Sequence, residues 1–600
     1  MASCAAAEPG RDGTDFIELA SAGRSGYVIY TAEDATASER TAARELQQHF
    51  KLVTGAELPI VAESAQPAAR AFMVGRTRAL RAAFPDLPLD SLGQDGIVLK
   101  TAGDTVFLAG GRPRGTLYAV YTFLEDFVGV RWWTSTASYI PAKPTLRIPR
   151  VDRIYSPRLQ SREVYYLDAF NPAFAARLKN NGHFVPIPDE FGGHREILGF
   201  VHTFYPLLPP AKYFNAHPEW YSLIGGRRVG HGAQLCLTND EMRVELTRNA
   251  LHLLRANPGA DMISISQNDG GNPCQCSNCQ AVAAREGSQS GPIVEFVNKV
   301  ATDIEKEFPD VLVETLAYHY SQKAPLRVKP RRNVLIRITS FTASRSQPLG
   351  EGSQNADFRR DIGAWSAITP RLFVWDYVTN FLNYLAPNPN WRTLGPNVRF
   401  LVGSNAVGLF EQGDAKSSGG DLVECRAWVL AHLMWDPSMD EWALIDEFLA
   451  GYYGSAAKYV RAYIDDISDA LARSRYRLPI YYDDCRGFLT LKDLNEITKL
   501  FNQAAEAVKD APVLSARVRR ARMSVDHEWL LRYRPLKAES VTTGKPFLGP
   551  DDPVSGCEAF IANAHVFGMK YWKENNGDFA SHESVLRAKC SQSPAAIPSR

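Results

Sequence analysis

The sequence predicts an α/β protein centred on a (β/α)8 barrel, with a small α/β domain before it and a helical region after it. Three observations carry this expectation. First, eight largely apolar runs alternate with helical segments: REVYYLD from Arg162, LGFVHTF from Leu198, AQLCLTN from Ala233, DMISISQND from Asp261, VLVETLAYHY from Val311, NVLIRITS from Asn333, RLFVWDY from Arg371 and AVGLFEQG from Ala406. Eight such strands over about 250 residues match the size and period of a (β/α)8 barrel, whose parallel strands are buried on both faces. Second, no Gly-rich phosphate loop follows the first run, as a doubly wound nucleotide-binding sheet would require. Third, beyond Asp436 the chain turns helical, with apolar residues at i, i+3 and i+4 in several segments, as in a bundle packed on a barrel.

The elements follow in order. Residues 1–25 read as a disordered N-terminus. Residues 26–150 read as the small α/β domain: YVIYTA as a strand, SERTAARELQQHFKLVTG as an amphipathic helix with Ala42, Leu46, Phe50 and Val53 on one face, then AFMVG, DGIVLKTAG and TVFLAGG as short strands punctuated by Gly. RGTLYAVYTFLEDFVGVRWW closes the domain as a helix running into a strand. The barrel spans 155–436, with helices such as NDEMRVELTRNALHLLRAN, capped by Asn239, and GPIVEFVNKVATDIEKEF, with Pro292 near its first turn. The helical region spans 437–541. Residues 542–600 hold Gly, Pro and two Cys without clear periodicity and carry no assignment.

Composition excludes several function classes. In 600 residues, 67 Lys+Arg face 66 Asp+Glu for a formal net charge of +1, so no whole-chain electrostatic case exists for nucleic acid or an anionic membrane. No apolar stretch reaches the roughly 18 uninterrupted residues of a membrane span. The opening residues, MASCAAAEPGRDGTD, lack the hydrophobic centre of a secretory signal. They resemble what remains once a bacterial lipoprotein signal is cut away, with Cys4 as the lipidated residue. On that reading the protein is exported, to the periplasm or the cell surface, and anchored at Cys4. The other reading is a disordered end with a chance Cys.

In a barrel, function gathers at the carboxyl ends of the strands. Here those ends are polar and aromatic: His202 to Tyr205, Gln267-Asn268-Asp269, Tyr318-His319-Tyr320, Trp375-Asp376-Tyr377 and Glu411-Gln412. Carboxylates framed by aromatic rings suit a sugar site, because rings cover the apolar faces of pyranosides while carboxylates do acid–base work. The Gly-Gly-Asn-Pro after Asp269 argues against a helix-capping role for that acid, and Asp376 and Glu411 sit inside apolar runs where an ionised group is costly unless paired or functional. Phe204, Phe381 and Phe410 read as packing under loops. CQCSNC places Cys274, Cys276 and Cys279 within reach of one ion, and Cys236 at the end of the third run supplies a fourth thiol, the donor set of a closed structural zinc site. A disulfide plus a free thiol is the competing reading. No organic cofactor is expected.

The motifs GFVHTFYPLLPPAKYFNAHPEWYSL, QLCLTND, ISISQNDGGNPCQCSNC, LAYHYS, FVWDYVTNF, GLFEQG and RAWVLAHLMWDP, between about Phe200 and Tyr453, closely resemble glycoside hydrolase family 163. RGTLYAVYTFLEDFVGVRWW is similar to the domain that precedes the barrel in family 20 hexosaminidases and family 67 glucuronidases. The resemblance implies a retaining hydrolase on a (β/α)8 barrel: an endo-β-N-acetylglucosaminidase that cleaves N-glycan cores, with a glycan or glycoprotein as partner and the substrate's 2-acetamido oxygen as nucleophile. Such chemistry needs one side chain to orient the amide and one acid to protonate the leaving oxygen. Asn268-Asp269 offers that pairing, and Glu411 as acid with Asp376 orienting the amide is the alternative. His202, Trp220, Tyr318, Trp375 and Tyr377 are the expected sugar contacts. The rival functions are an exo-acting glycosidase on a uronic-acid or hexosamine polysaccharide and a non-catalytic carbohydrate-binding surface protein.

Overall fold

The structure, a computed structural model, describes residues 16–63, 67–575 and 577–591, which fall into two compact units. Cys4 lies outside the described residues. The first unit takes the chain up to 157 together with 171–179 and 186–194. At its centre is a mixed sheet in the order Asp152–Tyr155, Ile97–Ala102, Thr105–Gly110, Ala71–Val74, Val28–Thr31, Ile60–Ala62. The last four strands run parallel and the other two pairings are antiparallel. Helix Ala37–Thr54 begins in a capping box, the Thr36 hydroxyl accepting from the Glu39 N–H while the Glu39 carboxylate accepts from the Thr36 N–H, and it stops at Gly55 with φ 85°. Its Phe50 packs on Phe72, which packs in turn on Phe123 of helix Gly115–Phe123. One expectation fails at the start: Phe16–Ala20 is a strand, antiparallel to Leu146–Pro149, because Ile17 and Leu19 alternate inward and find a buried face.

The second unit holds 158–170, 180–185 and everything from 195 onward. Its sheet has seven strands, all parallel, in the order Ser161–Tyr165, Ala406–Gln412, Leu372–Tyr377, Val334–Thr339, Leu312–Ala317, Met262–Ser264, Ile197–Leu198. The sheet curls on itself. Phe200, just past one edge strand, lies 5.6 Å from both Trp375 and Phe410, which belong to strands near the other edge.

The expected eight-stranded closure is therefore not formed as such. Ala233–Asn239, read as the third strand, is a loop whose β-pairing is an isolated bridge, Tyr221 to Leu235, and Ile197–Leu198 pairs directly with Met262–Ser264. The gap between the edge strands is spanned by irregular backbone. Asn181 donates its N–H to Arg162 O, its carbonyl accepts from Arg195 N–H, and its side chain accepts from Arg162 N–H, while His183 Nδ1 accepts from Ile197 N–H. Ladder pairing gives way to side-chain bonds here because Asn181-Gly182-His183 has no strand-forming alternation.

Inside the curl, Arg337 and Glu314 form a two-pronged ion pair at 2.6 and 3.1 Å, with side chains 2% and 0% exposed. The guanidinium also lies over the rings of Phe200 and Phe373. Burial pulls the Glu314 pKa up and the Arg337 charge pulls it down, and burial prevails.

Beyond residue 436, helices run from Glu441–Tyr453 to Pro512–Leu531 and on through Tyr533–Thr543. The stretch left unassigned from sequence continues this region. Helices Pro553–Val566 and Phe579–Ser591 bury Cys557, Phe560, Ile561 and Leu586 against Met523 and Leu530, and a short hairpin, Tyr571–Lys573 with Gly577–Asp578, joins them. Two fully buried imidazoles tie the region together, His527 Nε2 to His582 Nε2 at 2.8 Å, and His582 stacks on Trp572 of the hairpin at 3.8 Å. That bond needs a donor on one ring and a lone pair on the other, so the accepting ring is neutral. Burial, reinforced by the charges of Lys573 and Lys589, lowers the His582 pKa to about 4, and burial beside His582 takes His527 well below its ordinary value. A folded-state pKa below the unfolded one, near 6.5, means that unfolding takes up protons, so stability is lost as pH falls from about 6.5 towards 4. We expect His582 alone to contribute on the order of 3 kcal/mol to that loss. Denaturant midpoints taken between pH 7.5 and 4.5 should show a flatter profile for His582→Phe than for the parent, and equal slopes would refute the assignment.

Candidate active site

A cavity of about 210 Å³ opens at the carboxyl ends of the curled strands. Strand alternation fixes what faces it: Thr339, Trp375, Tyr377 and Gln412 point in, and Leu316 and Tyr318 continue the wall from the neighbouring strand. Trp375 and Tyr377 stack nearly parallel, 5.6 Å apart at 18°. The Trp375 indole donates to Gln412 Oε1 at 2.7 Å, and the Gln412 amide donates to Glu574 Oε1 at 3.3 Å. Glu574 comes from the C-terminal hairpin, whose backbone is held by the Glu574 N–H donating to Phe381 O. Half-buried, Glu574 has its pKa raised, chiefly by desolvation, with Lys416 and the Gln412 bond opposing.

On the other side stands Asp269, with its side chain 72% exposed; it accepts from the Tyr318 hydroxyl at 3.3 Å and has His202 Nε2 4.0 Å away. His202 occupies the left-handed region, φ 61°, held there by its N–H donating to Ser266 Oγ and by its Nδ1 bonded to Gln267 O at 2.8 Å. Gln267 is itself locked, donating to Tyr318 O and accepting from Ser321 Oγ. The Tyr481 phenol borders the same cavity, and burial raises its pKa with Glu574 and Asp269 as the next causes, so both carboxylates act on one hydroxyl.

His202, Asp269, Tyr318, Trp375 and Tyr377 thus meet in one place, while four other expected site residues stand elsewhere. Asn268 is turned into the neighbouring loop, its Oδ1 accepting from Tyr205 N–H and its Nδ2 donating to Ala233 O. Trp220 is 4% exposed, stacked on His217 at 4.0 Å, and anchors its own loop. Asp376 and Glu411 are cross-strand partners on the opposite face of the sheet from the cavity, since each alternates with an inward-facing neighbour. Asp376 accepts from Ser340 Oγ and the Tyr377 N–H. Neither carboxylate oxygen of Glu411 has a hydrogen-bond partner, and burial together with the neighbouring Asp376 pushes its pKa well above the usual range.

Glu574, Asn575, Tyr481 and Phe341 line the cavity without having been read from sequence, and Phe381 lines it where packing alone was expected. The available signal was the WKENNGD run, whose Asn-Gly marks a hairpin next to an acid and an aromatic. Nearby, the sulfurs of Cys236, Cys274, Cys276 and Cys279 all lie within 4.8 Å of one another, and none is disulfide-bonded.

The match that decides the family covers residues 132–465, more than half of the chain, and its description is a domain of unknown function, DUF4838. The chain belongs to the DUF4838 family. Residues 24–123 of this DUF4838 protein match the N-terminus of glycosyl hydrolase family 67. No curated protein matches the sequence. Among solved structures it is similar to BtGH115A, a family GH115 4-O-methyl-alpha-glucuronidase with specificity for decorated arabinogalactans, at 13% identity and a TM-score of 0.59, covering 97% of this chain and 81% of that one. The DUF4838 protein is thus glycoside-hydrolase-like in its N-terminal domain and in its fold: a curled parallel sheet of seven strands followed by helices.

Proposed function

We propose that this protein is an exo-acting glycoside hydrolase that removes a terminal, uncharged pyranoside, N-acetylhexosamine included. The observation that carries the reading is the cavity with its two unlike carboxylates, Asp269 in water and Glu574 desolvated with a raised pKa. Pairs of acids whose surroundings differ in this way divide acid and base roles. Glu574 keeps its proton to higher pH and gives it to the leaving oxygen, and Asp269 serves the anomeric centre from the exposed side as base or nucleophile. The Trp375 and Tyr377 rings offer the apolar face of the sugar a surface to cover.

Size favours exo action. A cavity of about 210 Å³ falls below the roughly 300–1,000 Å³ of sites for larger ligands, which suits one sugar ring better than a run of them. Among the described residues lining it there is no Arg or Lys to neutralise a uronate, and the two acids would oppose one. The endo-acting, substrate-assisted reading has less behind it, because Asn268 is committed to its own loop. Product analysis on a panel of oligosaccharides and glycoproteins is expected to show single neutral sugars. Release of intact N-glycans, of uronic acids, or binding without turnover would each overturn the proposal.

A further inference from the structure

We propose that Cys236, Cys274, Cys276 and Cys279 bind one zinc ion that laces together the two loops flanking Asp269. Tetrahedral zinc with Zn–S bonds of about 2.3 Å sets its sulfurs about 3.8 Å apart. Cys236 Sγ lies 3.7 Å from Cys276 Sγ and 4.0 Å from Cys279 Sγ, the separation of ligands on one ion and nearly twice the roughly 2.05 Å of a disulfide. Three of the four cysteines are buried, so the site is closed, as structural all-thiolate sites are.

The surroundings are those of a thiolate site rather than of four neutral thiols. Leu223 N–H points at Cys274 Sγ at 3.3 Å, Cys279 N–H at Cys276 Sγ at 3.5 Å, and the Arg228 guanidinium reaches Cys274 Sγ at 3.8 Å. Donors aimed at sulfur, one of them cationic, offset the net double negative charge of a zinc tetrathiolate. The Thr238 hydroxyl, 3.3 Å from Cys279 Sγ, adds another. Binding deprotonates the thiols and releases their protons to solvent; no electron moves.

The mechanical consequence follows from the chain. Cys236 comes two residues after Gln234, whose amide donates to Asn268 O and Gly271 O and accepts from Asn268 N–H. Cys274 comes five residues after Asp269 across Gly270 and Asn272, both with positive φ. The ion would tie the Cys236 loop to the end of the stretch after Asp269, which the side chains of Gln234 and Asn272 already hold to 232–234. The effect on Asp269 rests on the proposed function; the ion itself does not.

Protein purified without chelator is expected to carry about one zinc per chain, and cobalt substitution should give intense thiolate-to-metal charge transfer with tetrahedral ligand-field bands. Cys276→Ser should lose zinc affinity by more than the roughly 10–100-fold that outer-sphere changes cause, and chelator-treated protein should become open to protease between residues 228 and 276. If Cys276→Ser does not fold, Cys276→His keeps the test decisive, because it should hold cobalt with weaker charge transfer from three sulfurs. Folded, protease-resistant protein without metal, or a disulfide among these four cysteines, would overturn the proposal. None of these readouts depends on turnover, so failure of the zinc site and failure of the glycosidase reading are distinguishable.

Discussion

Glu574→Gln is expected to slow hydrolysis of natural glycosides by about 10²–10⁴-fold, the usual cost of losing a general acid. Gln keeps the size of the side chain and its contact with Gln412, which sits at 3.3 Å, so binding should change little. The deficit should shrink for aryl glycosides with acidic phenols, which leave without a proton, while Asp269→Asn should impair both substrate types. The pH profile gives a second check. A general acid must be protonated, so the parent loses activity as pH rises through the raised pKa of Glu574, and that basic limb should vanish in Glu574→Gln. An unchanged basic limb, or equal losses on both leaving groups, would return the proton donor to another residue.

Arg337→Met is expected to cost about 3–5 kcal/mol of stability, because it leaves Glu314 buried without the partner that offsets its desolvation. The pair is sealed inside the curl, 2% and 0% exposed, so no water can take over the role of the guanidinium. Removing both groups, in Arg337→Met with Glu314→Leu, should recover most of the loss, since well-packed apolar side chains often replace a buried pair at little cost. Unfolding rates in denaturant, followed separately by tryptophan fluorescence and circular dichroism, would report this without assuming two-state behaviour in a two-unit chain. If the double variant is no better than the single one, the pair does more than neutralise itself.

The strands were legible because a parallel sheet buried on both faces leaves continuous apolar runs, and six of the seven sheet strands coincide with such runs from their first residues or nearly so. AQLCLTN misled for a physical reason: an apolar stretch of that length is equally a buried loop when a polar side chain, here Gln234, can satisfy the backbone around it. The carboxylates teach the opposite lesson. Asp376 lies between Trp375 and Tyr377, so alternation alone forbids it the face that they share, and the same parity sets Glu411 against Gln412. Glu574 could not be reached by this logic, because it is brought to Gln412 across 162 residues by a hairpin and two helices whose docking leaves no local pattern.

That distance also orders events during synthesis. The ribosome releases the complete sheet, through Gln412, well before it adds the hairpin from Tyr571 to Asp578. On the proposed chemistry, the rings that cover the sugar, Trp375 and Tyr377, are made well before Glu574, the acid that protonates the leaving oxygen. The same arrangement separates two kinds of evolutionary change: the curled sheet carries the rings that hold the sugar and Asp269 beside them, while the proton donor sits on the separate hairpin from Tyr571 to Asp578, so one can be rewritten while the other stays as it is.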